Sequence, residues 1–273
     1  MVDRPVEFGS NEYAEIMNQT YNEELLKCAD IIELNDFYGI VAWRGMRFFG
    51  EKLGLTPDSH LLDLSSGIGG PARFLAKAYG CKVTGIDLSD FNHQTAQRRT
   101  REAGLDHLVS FVHGNALEVP VPEESFTHVF GCEAWCYFPD KVQLYKAAYR
   151  ALKPGGVIAF LEAACDTPVR LHTEDLLGLV RYESVARYTS MLQAAGFETI
   201  HHYDTTELAS KDVASAMYRL ITKRDQIIGS VGEEFYFALL EIWAEFLAYF
   251  TEGKMTHCGF MAQKKEMLPS HIG

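Results

Sequence analysis

Short apolar runs alternate with longer amphipathic stretches through most of the chain. Runs that suit buried strands lie at residues 60–64, 82–86, 108–112, 127–131, 157–161 and 198–203. Stretches with helical spacing of apolar residues, several of them followed by glycine, lie between them at 69–79, 89–104, 141–152 and 182–195. Short strands that alternate with helices of this length form right-handed βαβ units. The pattern therefore predicts an α/β fold with a doubly wound, mostly parallel sheet.

Both ends of the pattern depart from this alternation. Residues 1–55 carry two helical apolar stripes, and residues 207–229 and 233–251 form a long helical pair before a last strand at 258–263. Such a pair exceeds what is needed to join two neighbouring strands, so we interpret it as a cover over the ligand-binding face. We predict four segments, which are an N-terminal helical cap (1–55), a Rossmann-like core (56–204), a helical lid insertion (205–255) and the last core strand with a tail (256–273).

Composition narrows the class of protein. The chain has 273 residues, of which 47% are hydrophobic and 23% charged, which suits a folded globular protein rather than a disordered one. Acidic residues exceed basic ones by 37 − 25 = 12, which argues against nucleic-acid and anionic-membrane partners. No membrane span or secretory signal is evident, and the six cysteines include no C-x-x-C pair. These features predict a cytoplasmic protein with reduced thiols.

The most informative segment runs from Leu61 to Gly70, with the sequence LLDLSSGIGG. It joins the first predicted strand to a helix, at the sheet edge where doubly wound proteins bind ligands. Gly67 and Gly69 allow close approach to the backbone, and Asp87 follows Gly67 by 20 residues at the tip of the second strand. A carboxylate at that position accepts hydrogen bonds from ribose hydroxyls. The alternative, a purely structural turn with a helix-capping Asp87, does not account for all of these features together.

Two kinds of nucleotide compete for this site. The run from Gly67 to Ala72 satisfies the dinucleotide fingerprint G-x-G-x-x-[G/A], which suits NAD. However, Asp63 places a carboxylate in the strand, where it repels a pyrophosphate and attracts an ammonium group.

Four motifs, in this order, make the chain similar to the class I S-adenosylmethionine-dependent methyltransferases. They are the D-x-x-x-G-x-G-G turn, G-I-D-L-S around Asp87, G-N-A at 114–116 and L-K-P-G-G at 152–156. The resemblance implies a seven-stranded sheet whose last strand is antiparallel and lies between strands five and six. It also implies S-adenosylmethionine as cofactor. The implied cofactor-binding residues are Asp63, Ser65, Gly67, Gly69, Asp87, Leu88, Asn115, Ala116 and Cys132.

Within that resemblance each residue has an expected role. Asp63 and Gly67 hold the methionine part, Asp87 the ribose hydroxyls, and Asn115 with Ala116 the adenine. Two positions depart from the family pattern. Ser65 replaces the usual first glycine, and Asn115 replaces a common aspartate whose accepting role its amide oxygen can retain.

The segment G-G-P-A-R-F-L at 69–75 and the C-terminal run G-K-M-T at 253–256 resemble the branch that includes sarcosine/dimethylglycine and phosphoethanolamine N-methyltransferases. This similarity implies a small-molecule acceptor with an amine nitrogen. A C- or O-methyltransferase of a natural-product scaffold is the alternative within the class. Outside it, an NAD-dependent oxidoreductase or a non-catalytic cofactor-binding protein remains open. The oligomeric state is expected to be a monomer or a homodimer.

The loop after strand four is the predicted acceptor floor, with Glu133, Trp135 and Tyr137 as catalytic candidates. A carboxylate and aromatic faces stabilise the cation that an amine becomes on methylation. Tyr137 stands where related enzymes often carry histidine, and a phenol is the poorer base at neutral pH. The alternative for Trp135, Tyr137 and Phe138 is packing in the core.

Three cysteines follow strands four and five, namely Cys132, Cys136 and Cys165, and an antiparallel last strand brings His257 and Cys258 to the same edge. Three or four thiols with one histidine could bind a soft metal or an arsenical, which is the alternative. However, their spacings match no zinc signature, so we predict no metal ion. We therefore expect them to pack as small hydrophobic side chains.

Overall fold

A seven-stranded sheet forms the centre of the molecule. The structure is a computed structural model that describes residues 10–34, 42–118, 121–169 and 180–266. The strands are β1 (His60–Leu64), β2 (Lys82–Asp87), β3 (Val109–His113), β4 (Phe126–Cys132), β5 (Leu152–Ala164), β6 (Glu198–Asp204) and β7 (Thr256–Gln263). Their order in the sheet is β3-β2-β1-β4-β5-β7-β6. The predicted fold class is confirmed, including the antiparallel pairing of β7 with both β5 and β6.

Helices cover both faces and the carboxyl edge of this sheet. They are α1 (Asn11–Thr20), α2 (Glu23–Ile31), α3 (Ala42–Lys52), α4 (Gly70–Tyr79), α5 (Asp90–Glu102), α6 (Lys141–Ala151), α7 (Val185–Ala194), α8 (Thr206–Thr222), α9 (Arg224–Val231) and α10 (Glu233–Thr251). Among the described residues, no helix combines the length and the apolar composition that crossing a bilayer requires. The predicted N-terminal cap lies partly outside the described residues, at 1–9 and 35–41.

The two faces of the sheet have separate apolar cores. On one face, Phe160 of β5 and Phe260 of β7 stack with ring centroids 4.8 Å apart and pack against α6 and α7. On the other, Leu61 and Ala159 pack against Met46 of α3 and Leu75 of α4. Because the central strands β1, β4 and β5 are largely buried on both faces, they read as apolar runs. This is why the sequence revealed these strands.

Two predicted boundaries are wrong. Strand β5 begins at Leu152 rather than at residue 157, so the Pro154–Gly156 segment lies inside the strand. Gly155 adopts a φ of 75°, and the pairing with β4 shifts register between Phe126 and His128. The segment predicted as a turn is thus an irregular start of the strand.

The predicted C-terminal helical pair is three helices. A break at Lys223 separates α8 from α9, and Gly229 lies inside α9 rather than ending a helix. Gly232, with a φ of 91°, makes the turn into α10. A single glycine weakens a helix without necessarily ending it, so the periodicity alone did not reveal this division.

The helices before β1 and those after β6 pack together. We call α1–α3 with α8–α10 the helical cap. Arg219 Nε donates to the Ile32 carbonyl (2.5 Å), and Lys223 Nζ donates to the Ile31 carbonyl (2.6 Å). These cations sit at the C-terminal end of α2, where carbonyl groups lack helical partners and the helix dipole favours positive charge. Segments far apart in sequence therefore form one covering layer.

Candidate active site

The turn between β1 and α4 has the backbone conformation that the glycine pattern predicts. Gly67 and Gly69 have φ values of 52° and 79°, and Ser65 has a φ of 67°. Left-handed conformations favour glycine. Ser65, which replaces the usual glycine of the family pattern, therefore adopts this conformation at a cost in free energy. A side chain at Gly69 would meet Phe111 and the Arg73 guanidinium. The turn thus leaves no room for a Cβ at Gly69.

Asp87 ties this turn to the tip of β2. Its Oδ2 accepts from the Gly67 backbone N–H at 2.7 Å, and its Oδ1 accepts from the Ser89 N–H at 3.0 Å and from Asn92 Nδ2 at 3.2 Å. Burial raises the pKa of the Asp87 carboxyl, and these three hydrogen bonds act in the opposite direction. Two carboxylate oxygens offer about four acceptor positions, so capacity remains for a ribose hydroxyl.

Asp63 supplies a second carboxyl below the turn. Its side chain is 1% exposed, and Oδ2 has no hydrogen-bond partner among the described residues. Burial and the nearby Asp87 charge hold the pKa of Asp63 well above its usual value. An isolated buried carboxyl of this kind favours either a proton or a neighbouring cation. The pair therefore suits a ligand that carries positive charge.

The loop after β3 places the predicted adenine residues. Asn115 is 9% exposed, and its Oδ1 accepts from the Leu117 N–H at 3.0 Å, so the side chain also shapes its own loop. Ala116 lines a cavity of about 230 Å³. Leu88 offers its carbonyl to His113 Nε2 at 3.0 Å, which holds the β2 and β3 ends together.

Glu133 follows β4 with an unusual backbone. Its φ is 52°, and its N–H donates to the Leu161 carbonyl at 2.9 Å. The side chain is 15% exposed, and Oε1 lies 3.2 Å from His257 Nε2. Cys132 precedes it, and burial holds the pKa of that thiol well above its usual value. A non-glycine residue in this conformation places a carboxylate at the carboxyl end of the sheet.

The structure favours the packing alternative for Trp135 over contact with an acceptor. Its indole is 1% exposed and packs against Tyr145 and Phe160, with ring centroids 5.7 and 4.8 Å away. Its Nε1 donates to the Leu64 carbonyl at 2.9 Å. Phe138 is likewise buried in this core. An aromatic residue in a loop does not by itself indicate a ligand contact. Here Trp135 lies in a short 3₁₀ turn, Trp135–Tyr137, and its indole points into the core.

Tyr137 meets a residue that the sequence reasoning missed. The Tyr21 hydroxyl donates to the Tyr137 hydroxyl at 2.8 Å. Burial holds the pKa of Tyr137 well above its usual value, and the neighbouring Tyr21 adds to this effect. Tyr137 therefore remains a phenol at neutral pH rather than a base. Beside it, Ser89 Oγ donates to Asn18 Oδ1 at 2.6 Å, so α1 lies across the ligand edge.

The cysteines form no ligand set. All six are free thiols, and Cys28, Cys81, Cys136, Cys165 and Cys258 are buried. Within the part of the chain that the structure describes, no group of three or more His, Cys, Asp or Glu side chains is arranged to hold a metal ion.

Comparison with known proteins adds to this geometry. Residues 62–160 match the family model described as a methyltransferase domain. A sarcosine/dimethylglycine N-methyltransferase of Halorhodospira halochloris is 30% identical over 186 residues, which cover 66% of each chain. A sterol 24-C-methyltransferase of Aspergillus fumigatus is 30% identical over 233 residues, which cover 82% of this chain and 61% of that protein.

A solved structure of Haemonchus contortus phosphoethanolamine N-methyltransferase 2 superposes with a TM-score of 0.85 at 21% identity. The match covers 96% of this chain and 61% of that one, and that protein was solved with phosphomonomethylethanolamine and S-adenosylhomocysteine. The chain belongs to the class I S-adenosylmethionine-dependent methyltransferases, as the four motifs predict. It spans 61% of the sterol methyltransferase and 35% of a glycine/sarcosine/dimethylglycine N-methyltransferase of Actinopolyspora halophila.

Proposed function

We propose that this protein transfers a methyl group from S-adenosylmethionine to a small-molecule acceptor, and that the accepting atom is an amine nitrogen. When bound, the cofactor supplies an electrophilic methyl group on a sulfonium centre. The protein then supplies alignment, exclusion of water and compensation of charge.

The buried carboxyl pair below the glycine turn carries this proposal. Asp63 Oδ2 has no hydrogen-bond partner in the described part of the chain, and burial together with the Asp87 charge raises the pKa of Asp63. The ammonium group of a methionine moiety relieves both effects, whereas the pyrophosphate of NAD would add negative charge to an acidic site. The residues present therefore fit S-adenosylmethionine better than a dinucleotide. Asp63 and Gly67 would hold the methionine part, Asp87 the ribose and Asn115 the adenine.

Glu133 supports an amine acceptor. It places a partly exposed carboxylate at the end of β4, next to the predicted methionine side of the site. An amine nitrogen gains positive charge as the methyl group arrives, and a nearby carboxylate stabilises this charge more than it stabilises the neutral amine. The similarity to a sarcosine/dimethylglycine N-methyltransferase agrees with this reading.

The helical cap would exclude water from the transfer. The Tyr21–Tyr137 and Asn18–Ser89 hydrogen bonds hold α1 against the ligand edge. The Arg44 guanidinium and backbone N–H both bind the Asp212 carboxylate, which joins α3 to α8. Ligand entry would require some of these contacts to open, so residues 1–55 and 205–255 would act as a lid.

Isothermal titration calorimetry with S-adenosylmethionine, S-adenosylhomocysteine and NAD tests the cofactor. We expect the first two to bind and NAD not to bind. Asp63→Asn removes one negative charge with little change of shape, and we expect at least a tenfold weaker affinity for S-adenosylmethionine. Asp90→Asn, at an exposed helix start near the site, is the matched control and should bind normally. Binding of NAD without a response to either sulfur ligand would refute the proposed function.

A carbon acceptor is the second candidate, because a sterol 24-C-methyltransferase is 30% identical over 82% of the chain. Release of S-adenosylhomocysteine from two acceptor panels separates the candidates. One panel contains sarcosine, dimethylglycine and phosphoethanolamine, and the other contains isoprenoid alkenes. Turnover only with the alkenes would overturn the assignment of an amine nitrogen.

A further inference from the structure

His257 of β7 lies beside β5, the start of α8 and the residue that follows β4, and its ring is buried. It lies opposite Ala163 in the antiparallel pairing of β7 with β5, and it is 1% exposed. Nδ1 lies 2.6 Å from Thr205 Oγ1, at the start of α8. Nε2 is buried without a well-aligned hydrogen-bond partner among the described residues, and it lies 3.2 Å from Glu133 Oε1. A small rotation of the carboxylate would convert this contact into a hydrogen bond.

The Thr205 hydroxyl lies beside Nδ1 and favours one of the two locations of the ring proton. Its hydroxyl has a single hydrogen and two acceptors within reach, His257 Nδ1 at 2.6 Å and the His257 carbonyl at 3.1 Å. That carbonyl already accepts from the Thr205 backbone N–H at 2.8 Å. The hydroxyl hydrogen is therefore best placed on Nδ1, which leaves the ring proton on Nε2. The Nε2–H group then faces Glu133.

Several titratable groups surround the Glu133 side chain. Its backbone adopts the left-handed conformation that non-glycine residues rarely occupy. Acidic groups surround it, because its charge acts on the carboxyls of Glu162 and Asp212, although Asp212 is paired with Arg44. Other titratable groups within its electrostatic reach are Cys132, Cys136 and Tyr182. A hydrogen bond donated to the Glu133 carboxylate would restrict its orientation among these groups.

We propose that His257 is a positioning residue for Glu133, which it holds by donating Nε2–H to the carboxylate while Thr205 fixes the opposite side of the ring. This arrangement keeps the Glu133 carboxylate directed to the side of the site where an acceptor would gain positive charge. A functional group held by a second, buried residue loses less freedom when its ligand arrives. The inference rests on the proposed function only in that Glu133 serves the acceptor.

The location of the ring proton is the direct test, and it needs neither cofactor nor acceptor. Long-range ¹H–¹⁵N spectra of the full ¹⁵N-labelled chain at neutral pH report it, and the His257 signals are those missing from His257→Gln. We expect the proton on Nε2. In Glu133→Ala the Nε2–H group loses its acceptor, so the proton should move to Nδ1 while the Thr205 hydroxyl turns to the His257 carbonyl. The exposed Glu123→Ala is the matched control and should leave the spectrum unchanged.

Two results would overturn the proposal. One is a wild-type ring with its proton on Nδ1, and the other is a Glu133→Ala spectrum with the wild-type proton location. Thr205→Ser should retain the Nε2–H form, because serine also supplies one hydroxyl hydrogen. If Thr205→Ser loses this form although the variant is folded, the assigned role of the hydroxyl is wrong.

Kinetics separate positioning from a role in folding alone. With an acceptor from the amine panel, His257→Gln should lower kcat at least tenfold and change the dissociation constant of S-adenosylmethionine less than twofold. His201→Gln, at an exposed position on the neighbouring β6, is the control. A lower kcat together with an equally large increase in the dissociation constant of S-adenosylmethionine would contradict the proposal. Failure of methyl transfer altogether would refute the proposed function and leave the spectroscopic result intact.

Discussion

Glu162 should make the stability of this protein fall as pH rises above 5. Its carboxyl lies on β5, 2% exposed, with the Cys136 N–H at 2.8 Å from Oε2 and the Ala163 N–H at 3.3 Å from Oε1. Burial, followed by the Glu133 charge, raises the pKa of Glu162 to about 8, although Lys141 and the two backbone donors act in the opposite direction. The usual value is 4.5, so between these two pH values the folded chain holds a proton that the unfolded chain has lost.

The sign and size of the effect follow from proton linkage. Stability changes with pH in proportion to the protons bound by the unfolded state minus those bound by the folded state, which is here a negative difference. The slope of the free energy of unfolding against pH approaches about −1.4 kcal/mol per pH unit. Glu162 therefore lowers the free energy of unfolding between pH 5 and 8 by an amount on the order of 4 kcal/mol. Glu162→Gln cannot ionise, and its amide oxygen can still accept from the Cys136 N–H.

Urea unfolding at pH 5, 6, 7 and 8 tests this expectation. The free energy of unfolding of the wild type should decline relative to that of Glu162→Gln across this range. Other titratable groups contribute equally to the decline in both proteins, so the difference between the two free energies of unfolding is the measured quantity. Glu123→Gln, an exposed position, is the control and should follow the wild type. Parallel curves for wild type and Glu162→Gln would show that Glu162 does not retain its proton in the folded state.

Three further variants test the site and its core. Asp87→Ala should weaken S-adenosylmethionine binding at least tenfold in calorimetry, and it should also lower stability in urea, because the Gly67 N–H loses an acceptor worth roughly 1.5–3 kcal/mol. Trp135→Phe should lower the free energy of unfolding by about 1–3 kcal/mol, since the Leu64 carbonyl loses its donor, and should leave cofactor affinity unchanged. Gly131→Ala should cost about 1–3 kcal/mol in the same assay, because the added methyl would overlap the Trp135 indole. Wild-type stability in the last two variants would contradict the packing described here.

The sequence predicted those features that depend on local pattern. The central strands β1, β4 and β5 are largely buried, so their apolar runs are easily recognised, and the turn around Gly67 requires backbone conformations that favour glycine. It did not reveal features that depend on distant packing. Whether Trp135 faces solvent or the core is decided by the Leu64 carbonyl, 71 residues away. The contact of Tyr21 with Tyr137 spans 116 residues, and neither tyrosine has a local signal that distinguishes it from a core aromatic.

Arg219 of α8 and the following Lys223 hydrogen-bond to the C-terminal end of α2, and these contacts form late during translation. The Arg219–Ile32 and Lys223–Ile31 contacts join residues 187 and 192 positions apart. Loop closure over such a distance carries an entropic cost that local helix formation does not. During translation, α2 emerges long before the cations that cap its last carbonyls. The covering layer over the ligand edge is therefore completed late, after the sheet strands β1 to β6 have left the ribosome.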